Sequence, residues 1–284
     1  MGRRANGAAA PGAQRGGAAN PAAHLKPRLG SGAVVSARRG ARAAVPDVAV
    51  GRIARVDRDR GRRVGVPEVV LGEGKTVAHL VAIAVRLHGA GCGALISRPT
   101  AAQRQALGAA GLPIRSRADG RLLRLDGPLG ASYRPGTVAV LTAGTSDVPA
   151  AEEAAALLEE LGVGVVRAFD VGVAGLHRLR RALRRLDRAA PELYLVFAGR
   201  EGALPTVVAG LVRAPVVGVP TSIGYGRAGR GEAALNAMLQ SCAPLAVVNI
   251  DAAVPAALFA AQHFAPGGRP AAGARSRTRG RRGA

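Results

Sequence analysis

Residues 137–150 read TVAVLTAGTSDVPA. The apolar run from Val138 to Leu141 stops at small and hydroxyl residues, Thr142 to Ser146, and Asp147 and Pro149 then introduce a helical pattern. A continuous aliphatic run of this kind is a strand buried on both faces, as in a parallel sheet. Ser146 or Asp147 is placed to cap the following helix, with Pro149 suited to its first turn. A strand that empties through small residues into a helix N-terminus turns backbone N–H groups toward an anion. Ligands of open α/β sheets bind at this carboxyl edge. The stretch therefore predicts an α/β fold with one wall of a site for a phosphorylated ligand at residues 142–147.

Outward from it the chain alternates. VAVLT, VGVVRAF, LYLVFAG, APVVGVP and LAVVNID have strand character, and helical patterns fill 149–162, 174–187, 202–211, 231–241 and 254–263. Five βα units within 131–265 predict a flavodoxin-like doubly wound parallel sheet, because right-handed crossovers lay helices on both faces. Residues 47–130 precede it as a small α/β unit. PEVVLGEGKT, GALISRP and RLLRLDG supply its strands, AAQRQALGAAG a helix, and Val77, Leu80, Val81, Ile83, Ala84 and Leu87 recur at helical spacing. This N-terminal unit is expected to be mobile or loosely docked.

The formal net charge of +22 is concentrated at the ends: residues 1–46 and 266–284 contain 14 Lys/Arg and no acid. These segments read as disordered, low-complexity basic tails. Aromatics make up only 2% of the chain, which leaves base stacking on single-stranded nucleic acid without its usual side chains. No specific nucleic-acid partner is expected. No apolar run is long enough to span a bilayer, no apolar signal segment follows Arg3 and Arg4, and two cysteines make no disulfide framework. The expected location is the cytoplasm, with no membrane partner.

The loops after the strands, TAGTSD, FDVGVAG, AGREGALPT and PTSIGYGRAGRG, combine glycine with polar groups. Gathered at one edge they present Ser146, Asp147, Asp170, His177, Arg178, Glu201, Thr221, Ser222 and Tyr225, with Thr145 beside them. Carboxylates there can act as bases or hold ribose hydroxyls. GEGKT at 72–76 is not a P-loop, since Val69 stands where the first glycine is required. The five histidines have no metal-ligand spacing, and no metal site is expected. Cys92 reads as a small buried apolar residue; position alone leaves Cys242 undecided.

TAGTSD…EEA, RAFDVGVAGLHRL, AGREGALPTVVAGLV, PVVGVPTSIGYG and LQSCAP…VVNID together resemble the LarB family, and Asp57, Arg60, Arg63, Gly65, Pro67, Glu68, Gly72, Gly74, Lys75 and Thr76 match its N-terminal pattern. The family consists of pyridinium-3,5-biscarboxylic acid mononucleotide synthases of nickel-pincer cofactor synthesis, similar in fold to aminoimidazole ribonucleotide carboxylase. The resemblance implies carboxylation of nicotinic acid adenine dinucleotide at pyridinium C5, with CO2 or bicarbonate as co-substrate, and hydrolysis of the phosphoanhydride to release AMP. It implies Cys242 as nucleophile and Glu201, in EGALP, as base. It matches Ser146 and Asp147 to the substrate-binding loop and Asp170, His177 and Arg178 to a second loop; Thr145, Thr221, Ser222 and Tyr225 are expected to join them in substrate binding. No tightly bound cofactor is implied, Mg2+ stays open, and a homo-oligomer, an octamer, is expected. Arg200, Gln240, Arg58–Asp59 and residues 252–257 depart from the family pattern. The alternatives are an aminoimidazole ribonucleotide carboxylase or mutase, whose A-H-L-P stretch stands where E-G-A-L-P is here, and a non-enzymatic phosphate-binding module.

Overall fold

The computed structural model describes residues 47–266, apart from Ile53 and Tyr225 and the side chains of Arg227 and Ala228. The two tails, except Pro266, lie outside the described residues, as does the prediction for Tyr225. In chain order the N-terminal unit contains β1 (Val48–Val50), β2 (Ala54–Val56), α1 (Arg60–Val64), β3 (Val69–Leu71), α2 (Val77–Gly89), β4 (Ala94–Ser97), α3 (Ala101–Ala109), β5 (Ile114–Arg117) and β6 (Leu122–Leu125). The larger domain follows as β7 (Thr137–Thr142), α4 (Val148–Glu160), β8 (Gly164–Ala168), α5 (Leu176–Leu186), β9 (Leu193–Ala198), α6 (Ala203–Ala209), β10 (Val216–Pro220), α7 (Glu232–Leu239), β11 (Ala246–Val247) and α8 (Ala253–Gln262).

The larger domain is the doubly wound sheet the alternation predicts. Its five parallel strands run in the order β11-β10-β9-β7-β8, the flavodoxin-like arrangement with its switch point between β7 and β9. The pleat divides each strand between two cores. On β9, Leu193, Leu195 and Phe197 join the cluster under α4 and α8, while Tyr194, Val196 and Ala198 join the one under α5, α6 and α7. α5 shows the helical counterpart: Leu179, Ala182, Leu183 and Leu186 are buried, and its arginines fall on the other side. β11 is shorter than LAVVNID suggested. It is an edge strand paired only through Val217 and Gly218, and the chain turns at Asp251, where φ is +56°.

The N-terminal unit has a four-stranded sheet, order β3-β4-β6-β5, with only β3 and β4 parallel. The periodic face of α2 packs as expected through Leu80, Ile83, Ala84 and Leu87. β5, sequence IRSR, lacks an apolar run, because it is an edge strand with two exposed central residues. GEGKT is a loop whose carbonyls are the groups held: Gln103 Nε2 donates to Gly72 O at 2.9 Å and to Lys75 O at 2.7 Å.

This unit is not loosely attached. Val66, Leu95 and Leu122 are buried in the same apolar cluster as α4, α8 and the β7–β9–β10 face. At its polar margin Glu153 of α4, fully buried, accepts the Ser97 hydroxyl at 2.5 Å, Arg121 Nη2 at 3.1 Å and Arg98 Nε at 3.4 Å. Arg117 and Arg124 reach Glu159 and Glu160 at the other end of α4, at 2.8 and 3.3 Å. An isolated carboxylate in such a place would cost several kcal/mol, so the charges hold each other in position. The two units are docked because the apolar face of the small sheet has no other cover.

Candidate active site

Four loops meet at the carboxyl edge of the larger sheet, and close glycine contacts fix their spacing. A Cβ on Gly199 would lie 2.3 Å from Ile223 O and Thr221 Oγ1, and one on Gly172 would lie 2.6 Å from Ala143 O. Neither position admits a side chain without moving backbone. Loop 169–172 is tied to the end of β7 by Val171 N donating to Thr142 O at 3.0 Å and Asp170 N donating to Thr142 Oγ1 at 3.0 Å.

These contacts frame a cavity of about 370 Å3 at the switch point, with Ser146, Asp147, Arg178, Arg200, Glu201 and Ile223 among its lining. Its size is in the range of small-ligand sites. Asp147 forms the floor. One oxygen accepts the Gly144 N–H at 2.9 Å, and the other accepts the Thr221 hydroxyl at 2.6 Å. The carboxylate therefore does not cap α4 as the sequence suggested; no side-chain cap bond is made at that helix start. It braces loop to loop instead. Burial pushes the Asp147 carboxyl above its ordinary value, the two hydrogen bonds oppose the shift, and the negative charge of Glu201 adds to it. Glu201 itself is exposed at the mouth, presented by Gly202, whose φ of +65° and whose approach to Ala234 O require glycine.

The other sequence-predicted residues sort by distance from this cavity. Arg178 lines it and donates to Asp170 at 2.6 Å, so Asp170 acts on the cavity through that arginine. Thr221 is buried beneath Asp147, and Ser222 points its N–H at Asp251 Oδ1, 2.9 Å away, in an adjoining cavity. Thr145 and His177 are exposed and are not part of the lining. Cys242 is exposed, just past the C-terminus of α7, and does not line the cavity. In a βα unit the helix starts at the carboxyl edge and returns to the amino edge, so Cys242 lies at the amino edge of its own sheet. β10 alone, Val216–Pro220, separates the two edges by roughly 13 Å at about 3.3 Å per residue.

Sequence reasoning missed Glu153, Arg98 and Arg121. An EEA run inside an amphipathic helix signals solvent exposure, and only the docked small sheet shows that Glu153 is buried. Among the described residues no group of three or more His, Cys, Asp or Glu is placed to hold a metal ion. None of the described helices is long and apolar enough to cross a membrane.

Comparison with known proteins divides the chain at the same boundary as the fold. Residues 137–273 match the AIR carboxylase family, and residues 45–126 match the LarB/PurE-like N-terminal domain. The uncharacterized protein MJ0165 of Methanocaldococcus jannaschii is 52% identical over 126 residues, covering 44% of this chain. That match spans about half, 48%, of the length of MJ0165. The N5-carboxyaminoimidazole ribonucleotide mutase of Pyrococcus horikoshii is 34% identical over 129 residues, 43% of this chain and 69% of the mutase. The crystal structure of a single-substitution variant of Treponema denticola PurE2 is 27% identical over 45% of this chain and 77% of that chain, with a TM-score of 0.37.

Proposed function

The chain belongs to the LarB family, in which a LarB/PurE-like N-terminal domain precedes an AIR carboxylase domain, and from that membership we propose that it carboxylates nicotinic acid adenine dinucleotide at pyridinium C5 and hydrolyses the phosphoanhydride. The protein is a member of the PurE-related carboxylase family. The observation that carries the dinucleotide reading is the pairing of two carboxylates, Asp147 and Glu201, in one cavity. Two like charges at close range disfavour each other. A pyridinium ring has a fixed positive charge that relieves this repulsion, whereas a neutral aminoimidazole does not. Arg178 and Arg200 on the same lining suit the phosphate of the nucleotide.

The chemistry divides between a thiolate and a base. A thiolate adding at C4 converts the electron-poor ring into a dihydropyridine whose C5 is nucleophilic. C5 bonds to CO2, Glu201 takes the C5 proton, and the thiolate leaves with the C4–S electron pair as the ring regains its aromaticity. We assign the thiolate to Cys242 of a second copy, because Cys242 sits at the opposite sheet edge from the cavity of its own chain. This requires a homo-oligomer with its sites at subunit contacts. Val254 and Leu258 of α8 pack on their own core and leave Phe259, 52% exposed, as the apolar group that α8 offers.

The test is incubation of the purified protein with nicotinic acid adenine dinucleotide and labelled bicarbonate, followed by mass analysis. Labelled carboxylated mononucleotide and AMP should appear together. The identity to purine mutases favours one rival, and interconversion of carboxyaminoimidazole ribonucleotides with no product from the dinucleotide would establish it. Mixing Cys242→Ser with Glu201→Gln, each inactive alone, should restore part of the activity through mixed oligomers. No restoration after the subunits are exchanged places the thiol in the same chain as the base.

A further inference from the structure

A second cavity, of about 180 Å3, adjoins the first, and Ser146 and Ile223 line both. Thr221, Ser222 and Asp251 of the larger domain line it, and so do Arg98 and Arg121 of the N-terminal unit. The docked unit therefore supplies part of a cleft at the carboxyl edge of the larger sheet.

The two arginines are unequally engaged. Arg98 is held by Glu153, by Glu73 at 3.3 Å and by the Asp251 carbonyl. Arg121 donates to the same Glu153 carboxylate at 3.1 Å, and its buried Nε has no hydrogen-bond partner among the described residues. Two guanidiniums thus share one fully buried carboxylate; Arg98 has Glu73 as a second anionic partner, whereas Arg121 has Glu153 alone among the described residues. The turn before Arg121 is also costly. Ala118 and Asp119 have φ of +49° and +51°, ahead of Gly120 at +83°. Left-handed backbone at non-glycine residues persists only where the surroundings over-determine it. Here it starts β6 with Arg121 directed at Glu153.

We propose that Arg121, supported by Arg98, is a phosphate subsite for the half of a dinucleotide remote from the reacting ring. The Asp251 carboxylate, which accepts the Ser222 N–H at 2.9 Å through Oδ1, has its other oxygen for a sugar hydroxyl. The N-terminal unit is then the part of the enzyme that distinguishes a dinucleotide from a mononucleotide. This rests on the dinucleotide reading of the main site.

The experiment is calorimetric binding of nicotinic acid adenine dinucleotide and nicotinic acid mononucleotide without bicarbonate. Arg121→Gln should weaken the dinucleotide about tenfold, as expected for loss of one charge-assisted contact, and leave the mononucleotide unchanged. That variant also strips a partner from Glu153, so Ala150→Glu provides the check. Ala150 lines the second cavity near the start of α4, where a carboxylate suits the helix and would neutralise Arg121. It should give the same selective loss in a folded protein. Equal loss for both ligands, or none, overturns the subsite, as does wild type that binds both ligands equally. Wild type that carboxylates the dinucleotide while Ala150→Glu binds it normally overturns the subsite alone. Wild type that binds neither nucleotide overturns the dinucleotide reading and the subsite with it.

Discussion

Asp147 and Glu153 are both buried carboxylates at the N-terminal half of α4, and their surroundings differ in one respect. Glu153 has a hydroxyl and two guanidiniums around it. Asp147 accepts a hydroxyl and a backbone N–H and has another carboxylate nearby, with no ion pair to a cation among the described residues. The first is fully compensated and holds two units together. The second is held in place but left electrostatically unsatisfied, beside a cavity. Burial of charge alone therefore does not mark chemistry; burial without a counter-charge, facing an opening, does.

The largest effect expected from this contrast is kinetic. Glu201→Gln removes the base and should lower product formation by roughly 10²–10⁴-fold, with the urea midpoint unchanged because Glu201 is exposed. A variant with normal turnover removes Glu201 from the mechanism. Next comes the clasp. Glu153→Ala leaves two arginines around an emptied site and should cost roughly 2–4 kcal/mol, at or below the usual range for a broken buried pair because both arginines reach solvent in part. Urea unfolding measures it, and a loss under about 0.5 kcal/mol makes the clasp ornamental. Ser97→Ala removes one donor from the same carboxylate and should cost about 1–2 kcal/mol in that assay; a cost as large as that of Glu153→Ala would shift the weight of the clasp from the ion pairs to the hydroxyl.

The smallest effect is the pH dependence of Asp147. Its folded-state value is raised above 3.8, so the fold binds this proton more tightly than the unfolded chain does. The stability it contributes is complete below pH 3.8 and is lost as pH rises through the raised value. Urea midpoints of wild type and Asp147→Asn, compared stepwise through that window, should show wild type losing ground as pH rises and the difference levelling off above it. An opposite slope would mean that a cation of the cavity lining holds Asp147 in its charged form.

Much of this was legible along the chain. The run from Val138 to Leu141, ended by TAGTSD, specified a buried strand and a ligand loop, because side-chain period and small-residue punctuation are local properties. Glu201 and Arg178 could be named from their loops for the same reason. β5 could not, since an edge strand needs no apolar face, and neither could the burial of Glu153, which depends on a sheet some fifty residues earlier in the chain. Cys242 shows the same limit. The sequence offered its thiol, but only the right-handed return of α7 decided that it lies across the sheet from the cavity. The sequence determined which segments are strands and helices and which loops share the carboxyl edge, because those follow from local pattern and crossover handedness. Tertiary packing decided which carboxylate is neutralised and which unit supplies the arginines, because charge compensation depends on neighbours in space that the order of residues does not announce.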